Sequence, residues 1–295
     1  MGAAMRPEDL AWKPDALGRE AGRDAVRVQW LGTAGFAIEH DGHTLLLDPY
    51  VTRASLARCV LAPLHPDHDA IRRCVPRADA VVVGHTHFDH ALDVPRIART
   101  TGARVFGSRS AAALCLAHGV QADRVEAVER DAGSEPVERE VGPFALRFIP
   151  SAHSRFALGR VPFPGEIADC GDVPMRTGAY KCGAVFGVEI RVAGRTLYHL
   201  GSAELVDANV DVKNVDLLLM CVAGWTSSRD FPERVGHRLA PGAVLLSHWD
   251  DFFRSIDRPA RMLPAMQMPR LVDRLTRASG GARVGTVPIF GEVWV

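Results

Sequence analysis

Three histidines and one carboxylate fall within six residues of this chain: His85, His87, Asp89 and His90, in the run Gly84-His85-Thr86-His87-Phe88-Asp89-His90. Imidazole nitrogen and carboxylate oxygen are the donors that a borderline ion such as Zn2+ takes, so the cluster reads as a metal site. The plain alternative is a solvated histidine-rich loop or a terminal tag. A tag has no interleaved Asp, and this run follows a core-like apolar stretch, Ala80-Val81-Val82-Val83. A buried strand ending at Gly84 would hold the side chains on a rigid base.

Three later positions share that placement just beyond an apolar strand: His153, Ser202 and His248. A site gathered from strand ends is how a sheet scaffold collects chemistry at one edge. The elements that must do the gathering are legible from periodicity. Residues 1–24 are polar and rich in Pro and Gly, an extension pinned by Trp12. Val26, Val28, Trp30, Phe36 and Ile38 alternate with polar neighbours, and Leu45-Leu46-Leu47 returns after Asp41-Gly42 as a more buried strand ending at Asp48. A connection over 50–70 leads to a helical patch at Ala70–Arg73. After the motif, Asp93 is placed to cap a helix through Pro95, Ile97 and Ala98. Arg104–Phe106 reads as a strand, and Ser108 or Ser110 caps a helix through Leu114.

Val137–Val141 and Phe144–Ile149 form a strand pair ahead of a long Pro- and Gly-rich loop, 154–182. A second meander, Ala184–Ile190 and Thr196–Leu200, ends at Gly201-Ser202 and echoes the first in shape, which suggests internal duplication. Strands at Asp216–Met220 and Ala243–Ser247, a helix at Leu271–Ala278 and one closing strand from Arg283 complete the chain. Two sheets packed face to face with helices outside follow from this order.

The 295 residues suffice for one large domain or two small ones, with a substantial core. Lys plus Arg equals Asp plus Glu at 35 each, so net charge supplies no footprint for nucleic acid and no nucleic-acid partner is expected. Six cysteines lie scattered without a C-x-x-C pair, which argues against a disulfide framework and for reduced thiols in the cytoplasm. Pro7, Glu8 and Asp9 interrupt the N-terminal residues before any signal-peptide apolar region, and no apolar run is long enough to span a bilayer.

The motif His85-x-His87-x-Asp89-His90, with His153, His248 and the early Asp48, resembles the metallo-β-lactamase fold superfamily. Trp30-Leu31-Gly32-Thr33-Ala34-Gly35-Phe36 and Leu46-Leu47-Asp48-Pro49-Tyr50 are similar to its branch of ascorbate-phosphate lactonases and N-acylphosphatidylethanolamine phospholipase D. The resemblance implies an α/β fold, a four-layer αββα sandwich of two mixed β-sheets flanked by helices, with residues 25–295 as a hydrolase domain. It implies that His85, His87 and His153 hold one metal and that Asp89, His90 and His248 hold a second. Water between two such ions would be the nucleophile. Asp89 would pass a proton to the leaving group, and Asp48 would accept backbone hydrogen bonds behind the ligands.

One position departs from the pattern: Ser202 stands where the family carries a bridging Asp. A neutral hydroxyl does not offset two adjacent cations, so Ser202 is either a ligand to a weakened second site, with help from Glu204, or a small turn residue. Loop 154–182 would lie at the cleft mouth, with Arg176, Tyr180 and Lys181 as substrate contacts. His65 and His68 read as a loop cluster, and His118 as a turn or surface residue.

The function expected is a metal-dependent hydrolase with one or two Zn2+ (Mn2+ or Fe2+ as alternatives), acting on a small or lipid-like ester, lactone or phosphoester. The rivals are a nucleic-acid phosphodiesterase, a di-iron redox enzyme and a metal-stabilised binding module without catalysis.

Overall fold

Alternation decides which way each strand of the first sheet faces. In the computed structural model, which describes residues 6–22, 24–129, 135–156, 159–171 and 173–295, the chain begins with β1 (Arg27–Gly32), β2 (Gly35–His40) and β3 (His43–Leu47), joined by tight turns. Leu45 and Leu47 point into the core between the two sheets, whereas Leu46 points into a second core beneath the helices. The next strand, β4 (Ala80–Val82), repeats this: Ala80 and Val82 face one core, Val81 and Val83 the other. A strand buried on both faces must be apolar throughout, which is why its sequence shows no polar alternation.

Between β3 and β4 lie α1 (Leu56–Leu61) and α2 (His68–Cys74), the latter capped by Asp67 accepting from the Asp69 and Ala70 amides. After β4 come α3 (Phe88–Ala91), α4 (Val94–Thr101), β5 (Arg104–Gly107), α5 (Arg109–Ala117) and β6 (Val125–Ala127). Ser108, not Ser110, caps α5 by accepting from the Ala111 amide at 3.2 Å. Ile71, Ile97 and Leu114 seal the second core against the outer face of this sheet.

The second half is built from β7 (Val137–Val141), β8 (Phe144–Ser151), β9 (Val185–Val192), β10 (Arg195–Leu200), β11 (Leu217–Cys221), α6 (Phe231–Leu239), β12 (Ala243–Ser247), α7 (Met268–Ala278), β13 (Arg283–Gly285) and β14 (Glu292–Trp294). Helix α6 was not read from the sequence, although Phe231, Val235 and Leu239 recur every four residues and are all buried. The single closing strand expected from Arg283 is two strands in different sheets. β13 pairs in parallel with β12, and β14 crosses over to pair antiparallel with β1.

The two sheets have seven strands each, ordered β14-β1-β2-β3-β4-β5-β6 and β7-β8-β9-β10-β11-β12-β13. The pairings run in the same sequence of senses, three antiparallel and then three parallel. β3 thus corresponds to β10, so the turns at Asp48 and Gly201-Ser202 occupy equivalent places. Two mixed sheets packed face to face with flanking helices form the metallo-β-lactamase sandwich.

Towards the N-terminus, the Trp12 amide donates to the Thr286 carbonyl at 2.7 Å. A Cβ at Gly285 would meet the Trp12 indole Nε1 at 2.0 Å, so only glycine lets the ring lie there. Among the described residues no helix is long and apolar enough to cross a membrane. All six cysteines are free, four of them buried.

Candidate metal centre

β4 delivers the motif. Its last residues are gripped by β5 and by Asp48, whose Oδ1 accepts the Gly84 amide at 2.6 Å. The chain then turns through His85, Thr86 and His87 into the single turn of α3, which carries Asp89 and His90 inward. Thr86 contributes no donor to the cluster; its hydroxyl donates to the Lys181 carbonyl at 2.6 Å and ties the motif to the end of loop 154–182. β8 brings His153 to the same edge and β12 brings His248. The parallel sense shared by β10, β11 and β12, and by β3 and β4, places their carboxyl ends on one side.

Three overlapping groups of donors result, one of them Asp48, His85 and His90, in which Asp48 already accepts the Gly84 amide. His85, His87 and His153 offer nitrogens that lie within 4.8 Å of one another, and so do the ligand atoms of Asp89, His90 and His248. His85 Nε2 stands 3.1 Å from His87 Nδ1. Asp89 Oδ2 stands 3.2 Å from His248 Nε2. His85, His90 and His248 are at most 5% exposed, and His87 and Asp89 are nearly as buried.

Hydrogen bonds behind the cluster choose the tautomers. His87 Nε2 lies 2.9 Å from the Pro162 carbonyl, which can only accept, so the proton sits on Nε2 and Nδ1 keeps its lone pair. His153 Nδ1 donates to the Ser154 carbonyl at 2.6 Å, leaving Nε2 free. His90 Nδ1 lies 2.9 Å from Asp48 Oδ2, which sets a carboxylate behind this ring. Such carbonyl and carboxylate partners orient imidazoles in metal sites. The electrostatics agree. Burial, reinforced by the neighbouring imidazoles, holds His85 well below its ordinary pKa, and burial together with His87 lowers His153 to about 3. Both are neutral lone-pair donors at neutral pH. Burial alone would raise the Asp89 pKa, but His248, His90 and His87 outweigh it and keep the carboxylate ionised. Burial also opposes charge on His90, yet the Asp48 carboxylate raises its pKa. This donor set fits a borderline divalent ion: imidazole nitrogens, those of His85 and His153 held neutral, and one ionised carboxylate.

Backbone strain marks the same edge. Asp48 and His248 adopt φ of +42° and +57°, the left-handed region that non-glycine residues avoid. The His248 amide is anchored on the Thr33 carbonyl at 2.7 Å, and the Thr33 amide donates to Asp250 at 3.1 Å. Asp250 is paired in turn with Arg53, both side chains being essentially inaccessible. Asp250 therefore acts on the loop backbone and does not touch the imidazole. Asp93 does not cap α4: its carboxylate accepts from the Val51 and Thr52 amides at 2.7 and 2.9 Å and from the Thr52 hydroxyl, clamping the chain after Asp48. Pro162, Thr33, Arg53 and this role of Asp93 carried no signal in the sequence, because each acts through main-chain contacts made across the fold.

Ser202 lies between these parts. Its hydroxyl accepts the Ser154 amide at 3.0 Å, which fixes the turn that follows His153. Glu204 does not turn toward the cluster; it accepts from Arg234 at 2.7 Å and from the Leu205 amide. Of the three expected substrate contacts, Tyr180 and Arg176 are placed differently from a cleft mouth. Tyr180 is 1% exposed and packs in the second core, so its ring cannot reach a ligand at the surface. The Lys181 carbonyl is taken by Thr86, and the Arg176 guanidinium donates to the Leu61 carbonyl at the end of α1 at 3.2 Å. Aromatic rings border the donors instead: Phe163 sits 6.3 Å from His87, and Phe252 sits 5.1 Å from His248.

This chain is similar to curated bacterial proteins described as UPF0173 metal-dependent hydrolases. It is 27% identical over 214 residues to one from Anaeromyxobacter sp. (strain K), covering 70% of this chain and 67% of the relative. It is 28% identical over 246 residues to one from Pelotomaculum thermopropionicum, covering 82% and 92%. Among solved structures, it shares its fold with Igni18, a metallo hydrolase from the archaeon Ignicoccus hospitalis, with a TM-score of 0.58 and 17% identity over 92% of this chain and 98% of that one. The model of the beta-lactamase superfamily domain matches residues 43–249, a span that runs from β3 through the metal motif to the residue after His248 and takes in well over half the chain. With that span, this fold and these donors together, the chain belongs to the beta-lactamase superfamily.

Proposed function

We propose that this protein is a metal-dependent hydrolase that cleaves ester, lactone or phosphoester bonds in small or lipid-like substrates. The observation that carries the reading is the convergence of two donor groups, His85/His87/His153 and Asp89/His90/His248, with the His87 and His153 tautomers set by the Pro162 and Ser154 carbonyls and a carboxylate, Asp48, beside His90. His85, His87 and His153 would hold one Zn2+, and Asp89, His90 and His248 a second; Mn2+ and Fe2+ suit the same donors. Ser202, already accepting from Ser154, adds no charge between them. A bound divalent ion supplies a water acidified toward neutral pH and polarises the bond to be cut.

The chain's own residues do the rest. Asp89, held ionised by His248 and His90, accepts a proton from the attacking water and returns it to the leaving oxygen. Asp48 and Pro162 keep the imidazoles aimed while this happens. Phe163 and Phe252 give the donors an apolar border, which favours substrates with an apolar part beside the scissile group. The free thiols suit a reducing compartment such as the cytoplasm.

The test is metal analysis of protein purified without added ions, followed by a panel of aryl esters, lactones and phosphodiesters. His87→Ala and His153→Ala should lose bound metal and turnover together. Full metal content in either variant, or no turnover across the panel by the metal-loaded protein, would overturn the proposal.

A further inference from the structure

A cavity of about 240 Å3 opens between the helices of the first half and Val173-Pro174 of loop 154–182, and none of its lining residues belongs to the metal cluster. Its floor is Leu92 and Pro95, and its walls carry His65, His68, Arg96, Arg99 and His118. Five nitrogen-bearing side chains therefore meet from three elements: the loop into α2, the face of α4 and the end of α5. Arg96 and Arg99 stand three residues apart on one face of α4.

The acids at the entry to α2 are committed elsewhere. Asp69 pairs with Arg72, and Asp67 accepts the first amides of α2. Among the described residues no carboxylate lines the cavity, and neither Arg96 nor Arg99 forms an ion pair. Arg99 donates only to the His118 carbonyl, at 3.3 Å. The His118 Nε2 is buried without a partner, which costs free energy unless a ligand answers it. Burial and the Arg99 charge both lower the pKa of this imidazole. The three histidines do not form one of the groups whose ligand atoms converge within 4.8 Å, so the cavity lacks the geometry of a cation site.

We propose that this cavity binds a phosphate-class oxyanion, either free phosphate or the phosphoryl group of a small metabolite. Guanidinium forks match phosphate oxygens, and donors arriving from three directions suit a tetrahedral anion better than a planar carboxylate.

The test uses the full-length, zinc-loaded protein, with imidazole NMR signals assigned to His118 through the His118→Gln variant. Inorganic phosphate and phenyl phosphate are titrated separately, because a response at His118 cannot arise from anion binding at the metal cluster. The expected result is a saturable shift of the His118 resonances with a Kd below about 1 mM. Replacing Arg96→Gln and Arg99→Gln together should weaken binding by at least about tenfold, and His87→Ala should leave it intact. Tighter binding of phenyl phosphate would identify a phosphoryl metabolite, and tighter binding of inorganic phosphate the free ion. Both arginines are at least partly exposed, so an unchanged melting temperature verifies that the double variant is folded. Unmoved His118 signals, equal affinity in the double variant, or saturation only above about 10 mM (an adventitious ion only) would overturn the proposal.

Discussion

Replacing Asp48 by Asn exchanges one buried carboxylate oxygen for an amide nitrogen while keeping the shape of the side chain. Shape matters here, because a Cβ at Gly84 or Gly201 would lie 2.9 or 2.6 Å from Asp48 Oδ2, and nothing larger fits. The wild-type carboxylate accepts from the Gly84 amide at 2.6 Å, and its other oxygen stands 2.9 Å from His90 Nδ1 in a buried ion-pair contact. An amide accepts on one side only. If its oxygen stays with Gly84, its NH2 faces His90 Nδ1. The imidazole must then move its proton to Nε2 and lose the lone pair aimed at Asp89 and His248. If the amide flips, the buried Gly84 N–H faces another donor one residue before His85. Either arrangement costs about 1–3 kcal/mol. Substitution of such supporting partners weakens metal binding by about 10–100-fold, equivalent to about 1.4–2.7 kcal/mol. The loss should fall on the Asp89/His90/His248 site, with the His85/His87/His153 site unchanged. Competition against a chromogenic zinc chelator, fitted to two sites, reads both affinities. Unchanged affinity at both sites, or a loss confined to the three-histidine site, would refute the reasoning.

Three further outcomes are expected. Ser202→Asp restores a carboxylate beside the cluster and should raise zinc stoichiometry in protein purified without added metal; unaltered stoichiometry would mean that the missing charge does not limit the second site. Arg53→Met leaves Asp250 charged and buried with only the Thr33 amide beside it, and should cost about 3–5 kcal/mol in urea unfolding. A loss under about 1 kcal/mol would show that the pair does not support the loop of His248. Burial raises the Asp93 pKa to about 6, so the folded state prefers the protonated acid. Its contribution is complete below about pH 4 and is lost as pH rises through about 6, a change of about 3 kcal/mol. Asp93→Asn removes this titration, and stability curves for wild type and variant that stay parallel from pH 4 to 7 would contradict it.

The donors were legible because metal chemistry restricts residue type and because the motif is local. His85 to His90 span one turn, and a strand of alanine and valines leading into a glycine announces its own burial. His153 and His248 could be associated with them because each also lies just beyond the end of a strand with apolar residues, β8 and β12. The likeness of the two meanders was legible from their matching alternation, whereas the matching order of the two sheets is a result of the fold. Apart from Asp48, which accepts the Gly84 amide as the resemblance implied, sequence alone did not reveal what lies behind the donors. Pro162 was one proline in a long loop, Asp93 looked like a helix cap, and Tyr180 looked like a rim residue until packing placed its ring in the core. The closing segment read as one strand because nothing local tells β13 from β14 as members of different sheets.

The sequence by itself determined the fold class, the candidate ligands and a formal net charge of zero. These follow from residue type and from periods of two and about four, which are local properties. Only the tertiary structure decided which nitrogen of His87 and of His153 is bare, where Ser202 and Glu204 spend their hydrogen bonds, and that five basic side chains share a cavity away from the metal cluster. Those outcomes depend on contacts between residues tens to hundreds of positions apart, and such contacts leave no periodic trace in the chain. The metal motif therefore names the chemistry, and the carbonyls and carboxylates packed behind it aim that chemistry.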